Sequence, residues 1–291
     1  MTDTLPIRIA SLHLHPVKSC AVLDVAEALL VETGFDLDRQ WMVVDAQGEF
    51  ISQREQPRLA LVRCQRRAAD LVLRAPGMLA LHIALDAAEE PCSVQVWDDR
   101  LPAYDMGALA AQWFSDFLGV TARLARFDPE QRRLSSPKWS AGVEALNQFS
   151  DGFPILVASV GGLEQFNQRL AAQGASGPVT MARFRPNIVI DADDAALREH
   201  LEDHLDELRF GTEDAPVRLK LVKPCARCPI PDVEPGTGVA DPARAVTAAL
   251  ASYRADARLD GALTFGMNAV ILEGVERVLR VGDVGQATLA F

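Results

Sequence analysis

The segment Leu221-Val-Lys-Pro-Cys-Ala-Arg-Cys-Pro-Ile-Pro231 places two cysteines, Cys225 and Cys228, in a basic turn flanked by prolines. No second cysteine pair follows it. A structural zinc site needs four ligands, and it usually takes them from two such pairs or from one cysteine pair and one histidine pair. The segment therefore argues against a structural zinc site. It favours a cysteine thiolate that binds a cofactor or is itself reactive.

The rest of the chain has to fold around an apolar core. It has 291 residues, 49% of them hydrophobic, which is enough for one large domain or two of medium size. Its five scattered cysteines are atypical of a disulfide framework and indicate a reducing compartment. The formal net charge of -11 argues against a nucleic-acid or anionic-membrane partner. With no signal peptide and no apolar run of about 18 residues, the sequence predicts a soluble, cytoplasmic protein.

Short strand patterns separated by turn signals dominate the first half of the chain. We predict strands there at 7–13, 26–32, 41–45, 59–64, 71–75, 79–83 and 93–96. One helix is predicted at 106–118, where Trp113, Phe114 and Phe117 recur at helical spacing before Gly119. A polar loop without periodicity is predicted from 127 to 150.

The second half mixes strands with helices. We predict strands there at 155–160, 188–191, 207–210, 217–222, 268–272 and 278–281. Helices are predicted at 163–172 and at 241–253, the latter with Asp241 as its N-cap. The whole pattern predicts an α+β fold that is predominantly β.

Several common sites lack their usual sequence pattern. The chain has no Gly-x-Gly-x-x-Gly, no Walker-type phosphate loop and no Gly-x-Ser-x-Gly. His13 and His15 alternate on a predicted strand, and a structural role is favoured over metal binding. His200 and His204 have helical spacing without the glutamate of a zinc helix, so we expect them on a solvated helix face or loop.

Seven motifs follow one another along the chain, and they are His15-Pro-Val-Lys-Ser-Cys20, Asp38-Arg-Gln-Trp41, Gln53-Arg-Glu-Gln-Pro-Arg58, Ser150-Asp-Gly-Phe-Pro154, Phe184-Arg-Pro-Asn187, Cys225-Ala-Arg-Cys228 and Phe265-Gly-Met-Asn268. In this order they resemble the MOSC family, in the branch that carries an N-terminal β-barrel domain and is similar to the mitochondrial amidoxime-reducing component and its bacterial homologues. The resemblance covers nearly the whole chain.

The resemblance implies a fold and an activity. It implies a β-rich N-terminal domain over 1–126, packed against a MOSC β-barrel over 127–291 with a few helices. It implies a molybdenum-pterin cofactor whose metal is held by Cys228, the catalytic cysteine, and not by Cys225. The implied reaction is the reduction of N-hydroxylated or N-oxide compounds, with electrons from a separate iron-sulfur or flavoprotein donor. Pyridoxal phosphate binding is another property with which the family is described.

The resemblance also implies a set of residues that bind the cofactor, namely Lys18, Ser19, Arg39, Gly152, Phe153, Arg185, Asn187, Ala226, Arg227 and Asn268. The basic residues suit the phosphate of the pterin, and Arg227 suits a neighbouring thiolate. Gly152 and Phe153 stand where the amidoxime-reducing enzymes have hydroxyl residues, Ala226 replaces a serine, and Asn268 replaces a tyrosine. We therefore expect the pocket above the metal to differ from theirs.

Other interpretations stay open at this point. Lys18, Arg39 and Arg185 are alternatively surface cations. Arg54 and Arg58 fit either the site or the packing of two domains, and Trp41 is expected in the core. At the level of function, Cys228 alternatively carries a persulfide or the cofactor for delivery to other enzymes, without turnover of its own. A structural zinc module is the third alternative.

Overall fold

The computed structural model describes residues 4–174, 177–192 and 199–290. In the first half, the helix α1 spans Gly107–Leu118, and the strands are β1 (Thr4–Leu14), β2 (Leu23–Val25), β3 (Glu27–Val31), β4 (Gly34–Phe35), β5 (Trp41–Val44), β6 (Arg63–Arg66), β7 (Asp70–Arg74), β8 (Leu81–Ala84), β9 (Glu90–Val96), β10 (Asp99–Asp105) and β11 (Arg123–Phe127).

In the second half, the helices are α2 (Val160–Ala172) and α3 (Ala245–Ala251). The strands there are β12 (Ile155–Ser159), β13 (Ile188–Asp191), β14 (Leu205–Thr212), β15 (Ala215–Ala226), β16 (Val233–Glu234), β17 (Val239–Ala240), β18 (Ala255–Asp256), β19 (Ala262–Glu273), β20 (Val278–Arg280) and β21 (Val284–Leu289). The described chain is thus mostly strand with three α-helices, which confirms the predicted fold class.

Seven strands of the described chain close into a barrel in the order β12, β13, β1, β21, β14, β15 and β19, and β19 pairs back to β12. Its strand β1 comes from the N-terminus and pairs antiparallel with β13 and β21. The buried residues of β1 change from Ile7 and Ile9 to Leu12 and Leu14 because a bulge between Ile9 and Ser11 shifts the register. The barrel therefore includes the first segment of the chain, and the division at residue 126 stays a prediction.

A second β-rich layer is built from 41–127, whereas β2 and β3 pair with β1 and β20. The sheet β5-β11-β10-β9 and the sheet β6-β7-β8 lie in it together with α1. Helix α1 buries Trp113, Phe114 and Phe117, and it ends at Gly119, whose φ of 73° is a left-handed conformation that glycine adopts without strain. The helix and its end are as predicted from the spacing of the aromatic residues.

Two predicted elements and the predicted position of one histidine differ from the structure. Residues 59–64 were expected as a strand, but Pro57–Leu61 is a 3-10 helix that precedes β6, because Pro57 starts the turn with its fixed φ. Helix α3 begins at Ala245 rather than Asp241, since the Asp241 carboxylate accepts hydrogen bonds from the backbone N–H groups of Ala243 and Ala245 and holds a turn there. His200 is 4% exposed, so its expected place on a solvated face is wrong.

Strand direction brings the predicted motifs to one end of the barrel. Because β1 and β13 are antiparallel, the end of β1 and the start of β13 lie at the same end of the barrel. Lys18, which follows β1, and Asn187, which precedes β13, therefore lie at that end. Strand β12 is parallel to β13, so the segment before it, with Phe153, starts at that end too. Leu156 of β12 pairs with Asn268 of β19. No helix within the described ranges is long and apolar enough to cross a membrane.

Candidate functional site

One cleft at this end of the barrel is lined by every residue predicted for the site, that is Lys18, Ser19, Arg39, Gly152, Phe153, Arg185, Asn187, Ala226, Arg227, Cys228 and Asn268. The fold brings them together from both halves of the chain. The same cleft is also lined by residues that the sequence did not single out for the site, among them Phe50, Ser52 and Trp97.

The cysteine turn forms one wall of the cleft. Strand β15 ends at Ala226, and both Cys225 and Cys228 are free, half-buried thiols. The Arg227 guanidinium donates from Nη1 to Cys225 Sγ at 3.1 Å and from Nη2 to the Phe184 carbonyl at 2.9 Å. Arg227 was expected beside the Cys228 thiolate, and its hydrogen bond instead goes to Cys225. The Cys228 thiol makes no hydrogen bond to the described residues and is available to a ligand.

Two guanidinium groups, those of Arg39 and Arg185, lie close together in the lining of the same cleft. Arg39 donates from Nη1 to Asp38 Oδ2 at 2.5 Å and to Asn187 Oδ1 at 2.9 Å, and from Nη2 to the Arg185 carbonyl at 3.0 Å. Arg185 donates to the Cys20 carbonyl at 2.6 Å. Burial, and next the charge of Arg39, lower the pKa of Arg185 to about 10. An anion in the cleft would relieve this crowding of positive charge.

Lys18 adds a third cation, and it is not a surface residue. Its side chain is 8% exposed, and Nζ donates to the Phe149 carbonyl at 2.8 Å and to Asp151 Oδ1 at 2.5 Å. Burial lowers the pKa of Lys18, although Asp151 opposes this effect. Burial alone would raise the pKa of the Asp151 carboxyl, but the charge and hydrogen bond of Lys18 outweigh it, and the pKa is lowered. This ion pair therefore stays charged at neutral pH.

The backbone at the cleft is held in conformations that L-residues rarely adopt. Ser19, Arg39, Arg185 and Trp97 have φ values of 66°, 49°, 58° and 54°. Each left-handed residue of this kind costs on the order of 1–3 kcal/mol, and such residues concentrate at functional sites. Hydrogen bonds hold them in place, for example from Gln53 Nε2 to the Ser19 carbonyl at 2.6 Å. The strain at these four residues agrees with a functional role of the cleft.

The side chains of the two predicted asparagines form hydrogen bonds with other groups of the protein. Asn187 is 1% exposed, its Oδ1 accepts from Arg39 and from the Leu156 backbone N–H, and its Nδ2 donates to the His13 carbonyl. Asn268 donates from Nδ2 to the Lys223 carbonyl at 3.2 Å, just before the cysteine turn. Asn187 therefore orients Arg39, and Asn268 ties β19 to the strand that carries the cysteines.

The positions that depart from the resembled enzymes shape the space in the cleft. A Cβ at Gly152 would meet no atom within 4 Å, so this residue leaves the cleft open. Phe153 is 8% exposed and packs with Ala145 and Val270. At these positions the cleft has an opening and an apolar ring in place of hydroxyl groups.

The remaining candidates fall inside and outside the cleft. Trp41 is fully buried in the core, as expected. Arg54 lines the cleft, whereas the Arg58 guanidinium stacks on the Phe117 ring at 4.5 Å and does not line it. His15 is fully buried, with Nε2 at 3.2 Å from the Pro186 carbonyl, and burial lowers its pKa well below the usual range, which keeps it neutral. In the described ranges no three metal-ligating side chains are grouped to hold a metal ion.

The donor set suits a particular kind of ligand. One wall offers the free thiol of Cys228, and the other offers the cations Lys18, Arg39 and Arg185. Arg227 adds a buried Nε without a hydrogen-bond partner in the described chain. A thiol favours a soft metal ion, and buried guanidinium groups favour phosphate. The cleft therefore fits a group that joins a thiolate-bound metal to a phosphate.

Comparisons with known proteins agree with the motifs. Residues 6–121 match the family described as MOSC N-terminal beta barrel domain, and residues 145–285 match the MOSC domain. Mitochondrial amidoxime-reducing component 1 of Mus musculus is 34% identical over 242 residues, which is 80% of this chain and 67% of that protein. Mitochondrial amidoxime reducing component 2 of Bos taurus is 32% identical over 242 residues, 80% and 68% of the two chains. Molybdenum cofactor sulfurase of Bos taurus is 29% identical over 248 residues, 79% of this chain and 27% of that protein.

Proposed function

The chain belongs to the MOSC family, with a MOSC N-terminal beta barrel domain ahead of its MOSC domain, and we propose that it is a molybdenum-cofactor-dependent oxidoreductase. The proposed reaction reduces N-hydroxylated or N-oxide compounds with electrons from a separate iron-sulfur or flavoprotein donor. The observation that carries the proposal is the cleft that Cys228 lines together with the cations Lys18, Arg39 and Arg185. The names of the relatives, amidoxime-reducing components, support the same class of substrate. We propose the division into 1–126 and 127–291 with it.

Each wall of the cleft has its own role in this proposal. The Cys228 thiolate would hold molybdenum, and Lys18, Ser19, Arg39 and Arg185 would hold the phosphate of the pterin. When bound, the molybdenum-pterin group supplies the two-electron reduction of the N–O bond, in which two electrons and two protons release the oxygen as water.

The chain itself binds and orients. Asn187 fixes the Arg39 guanidinium through a hydrogen bond of 2.9 Å, and Asp151 fixes the Lys18 ammonium at 2.5 Å. Arg227 donates a hydrogen bond of 3.1 Å to the Cys225 thiol. The two thiols therefore differ in their hydrogen bonding, although they lie three positions apart. This difference supports Cys228 as the metal ligand and Cys225 as a supporting neighbour.

Metal analysis of cysteine variants tests this assignment. The protein is produced in a host that makes the pterin cofactor, and molybdenum content and benzamidoxime reduction with reduced viologen are measured. Cys228→Ser should lose both the metal and the turnover, because a hydroxyl is a poor replacement for a thiolate ligand. Cys225→Ser, the matched control in the same turn, should keep most of the metal. Equal metal loss in both variants would overturn the choice of ligand, and a wild type that holds molybdenum without turnover would overturn the reductase activity.

A carrier of cofactor or sulfur is the second candidate function. It is favoured by the relative named molybdenum cofactor sulfurase, and in it Cys228 would carry the sulfur or the cofactor. A carrier would deliver its sulfur or cofactor to a second enzyme. It predicts labile sulfur on the purified protein and no reduction of benzamidoxime, whereas the reductase predicts turnover and retained metal.

A further inference from the structure

Three residues from the N-terminal half form an additional wall of the cleft, and none of them belongs to the predicted cofactor set. The wall consists of Phe50, Arg54 and Trp97. The rings of Phe50 and Trp97 meet edge to face, with centroids 5.0 Å apart. The Arg54 guanidinium lies 4.7 Å from the centroid of the Trp97 ring and 5.5 Å from that of Phe50. The wall therefore combines flat apolar surface with a planar cation.

The guanidinium in this wall has unused hydrogen-bonding capacity. Its Nε donates to Ser52 Oγ at 3.0 Å and lies 3.4 Å from Glu55 Oε1. The other carboxylate oxygen of Glu55 accepts from the backbone N–H and the hydroxyl of Ser52. The terminal nitrogens of Arg54 donate to no acceptor in the described ranges, and its side chain is 26% exposed. A guanidinium fixed through Nε keeps two parallel N–H groups for a carboxylate or phosphate.

Trp97 is held at the rim of the cleft at an energetic cost. It occupies the turn between β9 and β10 with a φ of 54°, a conformation in which a bulky residue is strained, and 41% of it is exposed. Its Nε1 donates to Asp151 Oδ1 at 3.1 Å, and Asp151 in turn binds Lys18. The backbone conformation and the Nε1 hydrogen bond both restrict the position of this indole, and much of it is exposed. Such an indole is better suited to contact a ligand than to fill the protein core.

We propose that Phe50, Arg54 and Trp97 form a substrate subsite that selects planar aromatic N-hydroxylated compounds carrying an anionic group. The aromatic part of the substrate packs on the rings of Phe50 and Trp97, and its carboxylate or phosphate accepts from the terminal nitrogens of Arg54. This inference rests on the proposed function for the reacting N–O group, but the binding contacts are those of the chain alone. The subsite adjoins the cations proposed for the phosphate of the pterin, since Lys18 Nζ lies 5.4 Å from the centroid of the Phe50 ring.

Calorimetric binding of two compounds to the as-purified protein tests the subsite without turnover, because no electron donor is added. The probes are benzamidoxime and its 4-carboxy derivative. The variants are Arg54→Met, Trp97→Ala and, as matched control, Arg58→Met, since Arg58 also stacks on an aromatic ring in the same segment but does not line the cleft. Molybdenum is measured in the same samples.

The wild type should bind the 4-carboxy derivative about tenfold more tightly than benzamidoxime, the effect of one charge-assisted contact. Arg54→Met should remove this preference, Arg58→Met should keep it, and Trp97→Ala should weaken binding of both compounds. Equal affinities of the wild type for the two probes, or equal effects of Arg54→Met and Arg58→Met, would overturn the subsite. Charge-selective binding in a protein that holds no molybdenum would leave the subsite intact and contradict the proposed function instead.

Discussion

Replacing Asn187 with alanine removes the side chain that connects the two halves of the cleft. Asn187 is 1% exposed and makes three hydrogen bonds, one from Arg39 at 2.9 Å, one from the Leu156 N–H at 3.1 Å and one to the His13 carbonyl at 3.3 Å. At about 1 kcal/mol for each neutral bond and somewhat more for the charged one, the loss comes to about 3 kcal/mol. We expect the free energy of unfolding to fall by this amount.

Urea unfolding measures the loss, with Asn167→Ala as the control. Asn167 makes two neutral hydrogen bonds to the backbone of Val179, at 2.8 and 3.0 Å, and it is half-buried and does not line the cleft. Its replacement should cost about 1–2 kcal/mol. Comparing the free energies of unfolding of the two variants separates the general cost of losing an asparagine amide from the cost of losing the amide that binds Arg39.

Phosphate binding gives the second readout of the same variants. In the proposed site Arg39 contacts phosphate, and without Asn187 its guanidinium keeps only the contacts to Asp38 and to the Arg185 carbonyl. We expect Asn187→Ala to bind inorganic phosphate about tenfold more weakly in calorimetry, and Asn167→Ala to bind it as the wild type does. A stability loss below about 1 kcal/mol, or unchanged phosphate affinity in Asn187→Ala, would refute the role of Asn187 in positioning Arg39.

Two further predictions concern the acid stability of the cleft and the backbone at two glycines outside it. The pKa of Asp151 is lowered in the folded protein, so its contribution is present above its unfolded pKa of about 4 and is lost as the pH falls. The urea midpoints of the wild type and Asp151→Asn should therefore draw together as the pH falls from about 4 towards the lowered pKa of the folded state, and a constant difference would contradict the ion pair with Lys18. Gly266→Ala places a Cβ 2.8 Å from the Val157 carbonyl oxygen at a φ of 82°, whereas Gly119→Ala meets no atom at a φ of 73°. We expect a cost of about 1 kcal/mol for Gly119→Ala and about 2–4 kcal/mol for Gly266→Ala, and equal costs would exclude the steric clash.

Local patterns predicted some elements of the fold and missed others for identifiable reasons. Helix α1 was predictable because Trp113, Phe114 and Phe117 share one helical face. Strand β10 was missed because Pro102 interrupts its pattern, although Pro102 pairs with Ser93 in the sheet. Strand β21 was missed because small residues, Gly285 and Ala287, occupy its buried positions and give a weak hydrophobic signal.

The site shows the same division between residue types and contacts. All predicted site residues were identified from the motifs, because a motif is defined by the identity and order of residues along the chain. The structure shows that these residues line one cleft. The motifs did not show that Arg227 donates a hydrogen bond to Cys225. Nor did they show that the side-chain amide of Asn187 forms its hydrogen bonds with groups of the protein itself. Trp97 had no signal of its own, since its strained backbone is visible only in three dimensions.

The sequence by itself determined the family, the predominantly β fold class and the chemical groups available to the site. Tertiary structure decided which of those groups meet. Side-chain spacing in a strand or helix reports only which face of that element is buried, and it carries no information on distant partners. Barrel closure, with β1 antiparallel to β13 and β12 parallel to it, sets Lys18, Arg39 and Arg185 around one cleft with Cys228. Phe50, Arg54 and Trp97 reach the same cleft from outside the barrel, and the role proposed for them rests on their contacts.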